Sequence, residues 1–166
     1  MKYFTPEWCN GQLSDVEYDR AREAYQQHYV ALEPSLPDAV RQISALLLHD
    51  AFIERATFDR RSRLLVIEFL GGDLQVGYRS IVLTYSEAQF DFARLAVIAR
   101  ASETAFLYDE IDSLPDASYQ HSIIFRPGHR DINIRFRSLS VSQAPRVDRT
   151  IVQWPEKFVL SDEAVA

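Results

Sequence analysis

The stretch YQHSIIFRPGHRDINIRFR, residues 119–137, decides the fold class of this 166-residue chain. In its second half the apolar residues Ile132, Ile134 and Phe136 alternate with polar ones. A period of two residues predicts a β-strand with one buried side and one solvent-facing side. The segments 119–126 and 131–137 flank a turn that begins with Pro-Gly, so we predict a β-hairpin in an antiparallel sheet.

Strand-like segments fill most of the chain after residue 50. Four precede the hairpin and are bounded by turn residues: 51–59, 63–70, 76–84 and 105–114. The segment 87–101 is ambiguous, because its run Leu-Ala-Val-Ile-Ala suits a buried strand as well as a helical turn. We therefore expect six or seven strands, and the sequence leaves their order in the sheet open.

Two helices are predicted before the first strand. Ser14 and Glu17 have the spacing of a capping box, and apolar residues then recur every three or four positions. Tyrosines at positions 18, 25 and 29 belong to this stripe, and core packing is favoured over the alternative that they line a pocket. Pro34 ends the first helix, and Pro37 suits the first turn of a second. Two helices packed on a mostly antiparallel sheet of six to seven strands define an α+β fold.

Length and composition predict a single α+β domain over residues 1–166. A chain of this length, with 47% hydrophobic residues, buries a sufficient core without a disulfide, and Cys9 has no second cysteine to pair with. We expect residues 1–13 to dock on the core as an N-terminal segment and residues 140–166 to form an extended C-terminal tail. No signal-peptide pattern and no long apolar run are found, so a cytoplasmic location is favoured.

Charge narrows the classes of partner. Asp and Glu number 24 against 18 Lys and Arg, which gives a net charge of −6. Nucleic-acid binding depends on a basic surface, so no nucleic acid is expected, and no membrane partner either. An acidic surface instead raises the association rate of a basic protein partner through electrostatic steering, so a basic partner is expected. Pairing of open strand edges into a homo-oligomer stays an alternative.

His49 and Asp50 lie at the predicted junction between the second helix and the first strand and form the first candidate site. An imidazole beside a carboxylate can act as a general base or as part of a metal site. In the structural interpretation, the imidazole stabilises the end of the helix and the carboxylate binds turn amides. The sequence leaves both interpretations open and favours the structural one.

The acidic run 108–112 is the second candidate site. On a strand, Glu110 and Asp112 share one face, where two carboxylates can act as an acid–base pair or bind a divalent cation, while Asp109 lies on the other. A solvated acidic face is the favoured interpretation. His121 is predicted to be the cross-strand partner of a carboxylate. No metal-binding, phosphate-binding or serine-nucleophile motif accompanies these residues, so no cofactor is predicted and the presence of a metal stays open.

Several passages together resemble the DUF4085 family of uncharacterised bacterial proteins. They are MKYFTPEW at 1–8, LLHDA at 47–51, FLYDEI at 106–111 and YQHSIIF at 119–125. The junction LHDA followed by short strands is also similar to bacterial toxin-immunity proteins. The resemblance implies a small soluble bacterial α+β protein and assigns no catalytic residue.

The sequence is therefore interpreted as that of a non-enzymatic protein-binding or regulatory module of the immunity-like kind. The alternative is a metal-assisted hydrolase that uses His49, Asp50 and Glu110, with His121 as a further candidate. That alternative requires the side chains to converge in one pocket.

Overall fold

The computed structural model describes residues 1–101, 103–128, 130–150 and 155–161. These residues form four α-helices and eight strands, and the strands make one mostly antiparallel sheet, which confirms the α+β class. The helices are α1 Pro6–Cys9, α2 Asp15–Leu32, α3 Asp38–Arg41 and α4 Phe92–Arg100. The strands are β1 Phe52–Asp59, β2 Leu64–Asp73, β3 Gly77–Ser86, β4 Ala105–Ser113, β5 Tyr119–Arg126, β6 Arg130–Phe136, β7 Ser138–Arg146 and β8 Phe158–Ser161.

The two ends of the sheet are joined through a single residue. The strand order is β6-β5-β4-β1-β2-β3-β7, with β8 parallel to β1. β6 and β7 stand at opposite ends of this order, yet only Arg137 separates them in the chain. Its backbone N–H donates to the carbonyl of Ser86 at 3.0 Å, and Gln89 bridges to Arg135 of β6. The sheet is therefore curled so strongly that β6 and β7, the strands at its two ends, follow each other directly in the chain.

Alternate strand positions supply one buried cluster, as period-two patterning requires. Its largest fully enclosed side chains include Tyr85, Phe69, Phe125 and Phe136. From α4, Leu95 and Ile98 complete the cluster, both with 0% exposure. The ambiguous segment 87–101 is thus helical over Phe92–Arg100.

The prediction of two N-terminal helices is only partly correct. The first, α2, has the expected Ser14–Glu17 capping box. The second is a single turn, α3, which continues as the 3₁₀ turn Gln42–Ala45. At Leu46 the backbone becomes extended, because Leu48 must enter the core and the Asp50 N–H must reach the carbonyl of Phe106, at 2.8 Å.

The N-terminal strap, residues 1–9, lies against β4 and α2. Its Trp8 is 3% exposed and stacks on Tyr18, with ring centroids 4.1 Å apart. Phe4 is also buried and contacts Tyr108. At the other end of the chain, 151–154 and 162–166 of the predicted tail lie outside the described residues, and β7 and β8 belong to the sheet.

The turn between β4 and β5 is held by the carboxylate of Asp116. Ser118 donates its hydroxyl hydrogen to this carboxylate at 2.6 Å, and Arg135 forms an ion pair with it. These contacts, the Ser118 hydrogen bond first, lower the pKa of Asp116 to about 2. The turn therefore depends on an ionised carboxylate.

No helix among the described parts of the chain is long and apolar enough to cross a membrane.

Candidate binding cleft

A cleft of about 610 Å³ opens beside β4, where the sheet lacks a strand. β4 pairs with β1 only at Phe52–Ala105, and β8 occupies the same edge of β1 from Ala56 onward. The rest of this β4 edge faces α2 and the segment 43–49. Along this edge, backbone groups of β4 form hydrogen bonds with side chains and not with a neighbouring strand. For example, the Ile111 N–H donates to the Tyr25 hydroxyl at 3.1 Å. The volume is in the range of small-ligand pockets.

Aromatic rings form much of the cleft wall. Tyr25 and Tyr29, four residues apart, project from one face of α2, and the Tyr29 hydroxyl donates to Ser44 at 3.1 Å. Phe4 of the N-terminal strap and Tyr108 of β4 complete the wall. Burial, and then the negative charge of Asp109, raise the pKa of Tyr25. Its hydroxyl therefore stays protonated while it accepts the β4 N–H.

A chain of three polar side chains, the Asp109–His121–Tyr85 chain, runs from the cleft into the core. The Tyr85 hydroxyl lies 2.8 Å from Nδ1 of His121, and Nε2 of His121 lies 3.1 Å from Oδ2 of Asp109. His121 and Tyr85 have 0% exposure. Burial first, and then the charge of Asp109, raise the pKa of Tyr85 well above its usual value, so its hydroxyl donates to Nδ1 and Nε2–H donates to Asp109.

The Asp109–His121–Tyr85 chain presents a fixed carboxylate to the cleft. Asp109 lines the cleft, and its side chain is 26% exposed. Its other oxygen, Oδ1, accepts no hydrogen bond from the residues that the structure describes. Glu33 also lines the cleft, and none of the described lining residues is Lys or Arg. The cleft is therefore anionic and apolar, with an unused acceptor.

His49 lines the same cleft and is anchored to β4 through its Nδ1. Its Nδ1 lies 2.7 Å from the carbonyl oxygen of Leu107, which can only accept, so Nδ1 carries the hydrogen. In the neutral ring, Nε2 is then an acceptor. The carboxylate of Asp50, 3.8 Å from Nε2, forms an ion pair with Arg126 at 2.9 Å. Asp50 itself has a positive φ of 63°, which places it in a turn.

Glu110 serves the N-terminal strap and does not line the cleft. Its carboxylate is 2% exposed and accepts backbone N–H bonds from Lys2, Tyr3 and Phe4 at 2.6, 2.6 and 2.7 Å. Asp112, on the same strand face, pairs with His28 at 2.7 Å. Both carboxylates of this face therefore have structural partners.

The four candidate residues do not form one site. His49 lines the cleft, His121 lies behind it, Asp50 faces an arginine, and Glu110 holds the strap. No group of three or more His, Cys, Asp or Glu side chains that could hold a metal occurs within the described ranges. The cross-strand carboxylate expected for His121 is Asp109, although the closest strand partner of His121 in register is Ile111.

Sequence reasoning missed Tyr85, and for Tyr25 and Tyr29 it favoured core packing over the alternative that they line a pocket. Tyr25 packs against Phe4 and also lines the cleft. A signal was present for α2: residues 25, 29 and 33 are spaced by four and place two tyrosines and a carboxylate on one face. Tyr85 gave no signal, because alternation predicts burial but not a polar partner on another strand.

Comparison with protein-family models finds no match, and comparison with curated proteins finds no similar protein.

Proposed function

We propose that this protein is a non-enzymatic binding module that accepts a basic side chain of a partner protein in the cleft between α2 and β4. The observation that carries this proposal is the Asp109 carboxylate. It is held by the buried His121, and Asp109 lines a cleft that, over its described lining, contains no Lys or Arg. A half-buried carboxylate without a counter-ion is costly, and a cationic ligand removes that cost.

The walls of the cleft suit the long side chains of basic residues. Lysine and arginine carry apolar stems that pack on aromatic surfaces while their charged ends reach an anion. Tyr25, Tyr29 and Tyr108 provide such surfaces. At the rim, Val30 is 56% exposed and gives a partner an apolar contact next to the charged one.

The overall charge supports a basic partner. A net charge of −6 raises the association rate of a positively charged protein and disfavours anionic partners. An immunity-like or regulatory role in the cytoplasm of a bacterium, suggested by the resemblance to the DUF4085 family and to toxin-immunity proteins, is consistent with blocking a basic partner. It is proposed on that resemblance and on charge.

The metal-assisted hydrolase is not favoured by the geometry. Its three residues, His49, Asp50 and Glu110, each have a different partner, and Glu110 is enclosed by three backbone amides. A buried carboxylate that already accepts three N–H bonds has little remaining capacity to bind a cation or to move a proton.

A calorimetric titration tests the proposal. The probe is a ten-residue peptide of arginine, lysine and alanine, titrated at pH 8 and low salt into wild type, Asp109→Asn and Glu23→Gln. Asparagine keeps an oxygen for His121 and removes the charge, so we expect at least tenfold weaker binding. Glu23 is exposed on α2 and does not line the cleft, so Glu23→Gln should bind within twofold of wild type. Equal effects of the two variants, or no binding by wild type, would overturn the proposal.

A further inference from the structure

We propose that the basic partner enters the cleft as an extended β-strand that pairs with the backbone of β4 at Asp109. This inference rests on the proposed function, since it names how the same cleft holds its ligand. It goes beyond charge, because it requires a free backbone N–H and C=O in the ligand next to the basic side chain.

The chain that precedes β1 leaves the edge of β4 at Asp50. Up to this point the two segments are bonded: Asp50 N–H donates to the Phe106 carbonyl, and Phe106 N–H donates to the Ala51 carbonyl, both at 2.8 Å. The positive φ of Asp50, 63°, places a turn here, and β1 pairs with β4 no further. The next part of β4 therefore has no neighbouring strand on this side.

The backbone groups of Asp109 face this uncovered edge. The register of β4 with β5 shifts after Phe106 and is regular over residues 108–113. Ile111 N–H donates to the Tyr25 hydroxyl, so the backbone groups of Ile111 face away from β5. Because this orientation repeats every second residue, the N–H and C=O of Asp109 face the same way. Neither group has a hydrogen-bond partner among the residues that the structure describes.

One residue of an antiparallel strand satisfies both groups of Asp109. In such a pair the N–H of each residue donates to the C=O of the other, with the Cα atoms about 5.5 Å apart. The two side chains lie on the same face of the sheet, where opposite charges attract. A basic ligand residue paired with Asp109 therefore reaches its carboxylate and its backbone at once.

Length and charge identify the occupant as a short basic segment. The part of β4 that lines the cleft, residues 106–111, corresponds to about 17–20 Å of strand, which suits four or five extended residues. The described lining includes Asp109 and Glu33 but no Lys or Arg. A second copy of this chain, with a net charge of −6, is disfavoured as the occupant by the same charge.

Amide hydrogen exchange at Asp109, measured by NMR, tests the strand pairing directly. The probe is a capped seven-residue peptide of threonine and valine with one central lysine, since these residues favour strands. At saturation with this peptide, we expect exchange of the Asp109 amide to slow at least tenfold. The amide of Glu110, which faces β5, is the matched control and should change less than twofold.

Two ester peptides separate strand pairing from charge. An ester in place of the lysine amide removes the N–H that donates to the Asp109 carbonyl and keeps the charge and the shape. We expect calorimetry to show at least fivefold weaker binding by this peptide. In the control peptide the ester replaces the amide of the preceding residue, whose N–H points away from β4 in the proposed pairing. This control should bind within twofold of the parent peptide.

The outcomes distinguish this inference from the proposed function. Equal affinities of the two ester peptides, or an unchanged exchange rate at Asp109, would overturn the inference. So would failure of the lysine peptide to bind while the mixed basic peptide binds, and the proposed function would stand in each case. Failure of both peptides to bind would overturn both proposals. Protection of the Asp109 amide that grows with protein concentration, without peptide, would indicate a second copy on this edge and overturn the inference.

Discussion

Replacing Glu110 with glutamine should release the N-terminal strap while the sheet stays folded. The buried carboxylate accepts three backbone N–H bonds of 2.6–2.7 Å, from Lys2, Tyr3 and Phe4. Hydrogen bonds to a charged group contribute about 1.5–3 kcal/mol each. Glutamine keeps one neutral oxygen, and its NH₂ group would face a backbone donor. We therefore expect the free energy of strap docking to fall by about 2–4 kcal/mol.

The thiol of Cys9, at the end of the strap, reports its release. Burial, and to a lesser extent the charge of Glu110, raise the pKa of Cys9 to about 11, so the docked thiol is almost entirely protonated at pH 8. Modification by an aromatic disulfide reagent then depends on opening of the strap. Since each 1.4 kcal/mol changes an equilibrium tenfold, a loss of 2–4 kcal/mol predicts a rate about 30 to 1,000 times higher.

A matched variant separates release of the strap from loss of charge. Glu7 is exposed in the same strap, and Glu7→Gln removes one negative charge without breaking the three amide bonds. Its thiol should react within threefold of the wild-type rate. Circular dichroism checks that the sheet of each variant is folded. A rate increase of less than about tenfold in Glu110→Gln would refute the reasoning, because removal of a charge next to the thiol explains a change of that size.

Three further substitutions test other parts of the structure. Asp116→Asn should lower the thermal midpoint at pH 7 but not at pH 2. The depressed pKa, about 2, gives stability that is present above the ordinary carboxyl pKa and lost as the pH falls through about 2; melting curves across this range check it. Tyr85→Phe leaves Nδ1 of the fully buried His121 without its donor and should cost about 1–3 kcal/mol in urea unfolding; an unchanged midpoint would contradict the hydrogen bond. Gly71→Ala would place a Cβ 2.4 Å from the Leu47 carbonyl oxygen and should cost about 1–3 kcal/mol in the same assay, and a neutral result would exclude this close approach.

Local patterns predict most of the strands because each strand alternates within itself. The hairpin of β5 and β6 is found within one residue of its predicted limits, since both its turn and its period are encoded in adjacent residues. Segment 87–101 was ambiguous because its apolar run fits two periods. Asp91 resolves it: its carboxylate accepts the Arg94 N–H at 2.9 Å and begins α4, a capping signal that apolar periodicity does not contain.

The closure of the sheet had no local signal. In residues 130–146, apolar and polar residues first alternate and a mainly polar stretch follows. Nothing in this pattern indicates that the first part, β6, pairs with β5 and that the second part, β7, pairs with β3. The same holds for β8, a four-residue strand whose parallel partner β1 lies about a hundred residues earlier. Such pairings depend on which edges the rest of the fold leaves open, and a single sequence does not contain that information.

Strand geometry explains why the acidic candidate residues of β4 do not form one site. Consecutive residues of β4 point to opposite sides, so Glu110 turns to the strap while Asp109 turns to His121 and the cleft. The acidic run 108–112 therefore contains two separate features, one on each face of the strand. What joins the residues of the cleft is the unpaired edge of β4, where Tyr25 and His49 provide the hydrogen bonds that a neighbouring strand would have made. Because side chains pack against this edge less closely than a paired strand would, a space is left between them, and this space is the cleft.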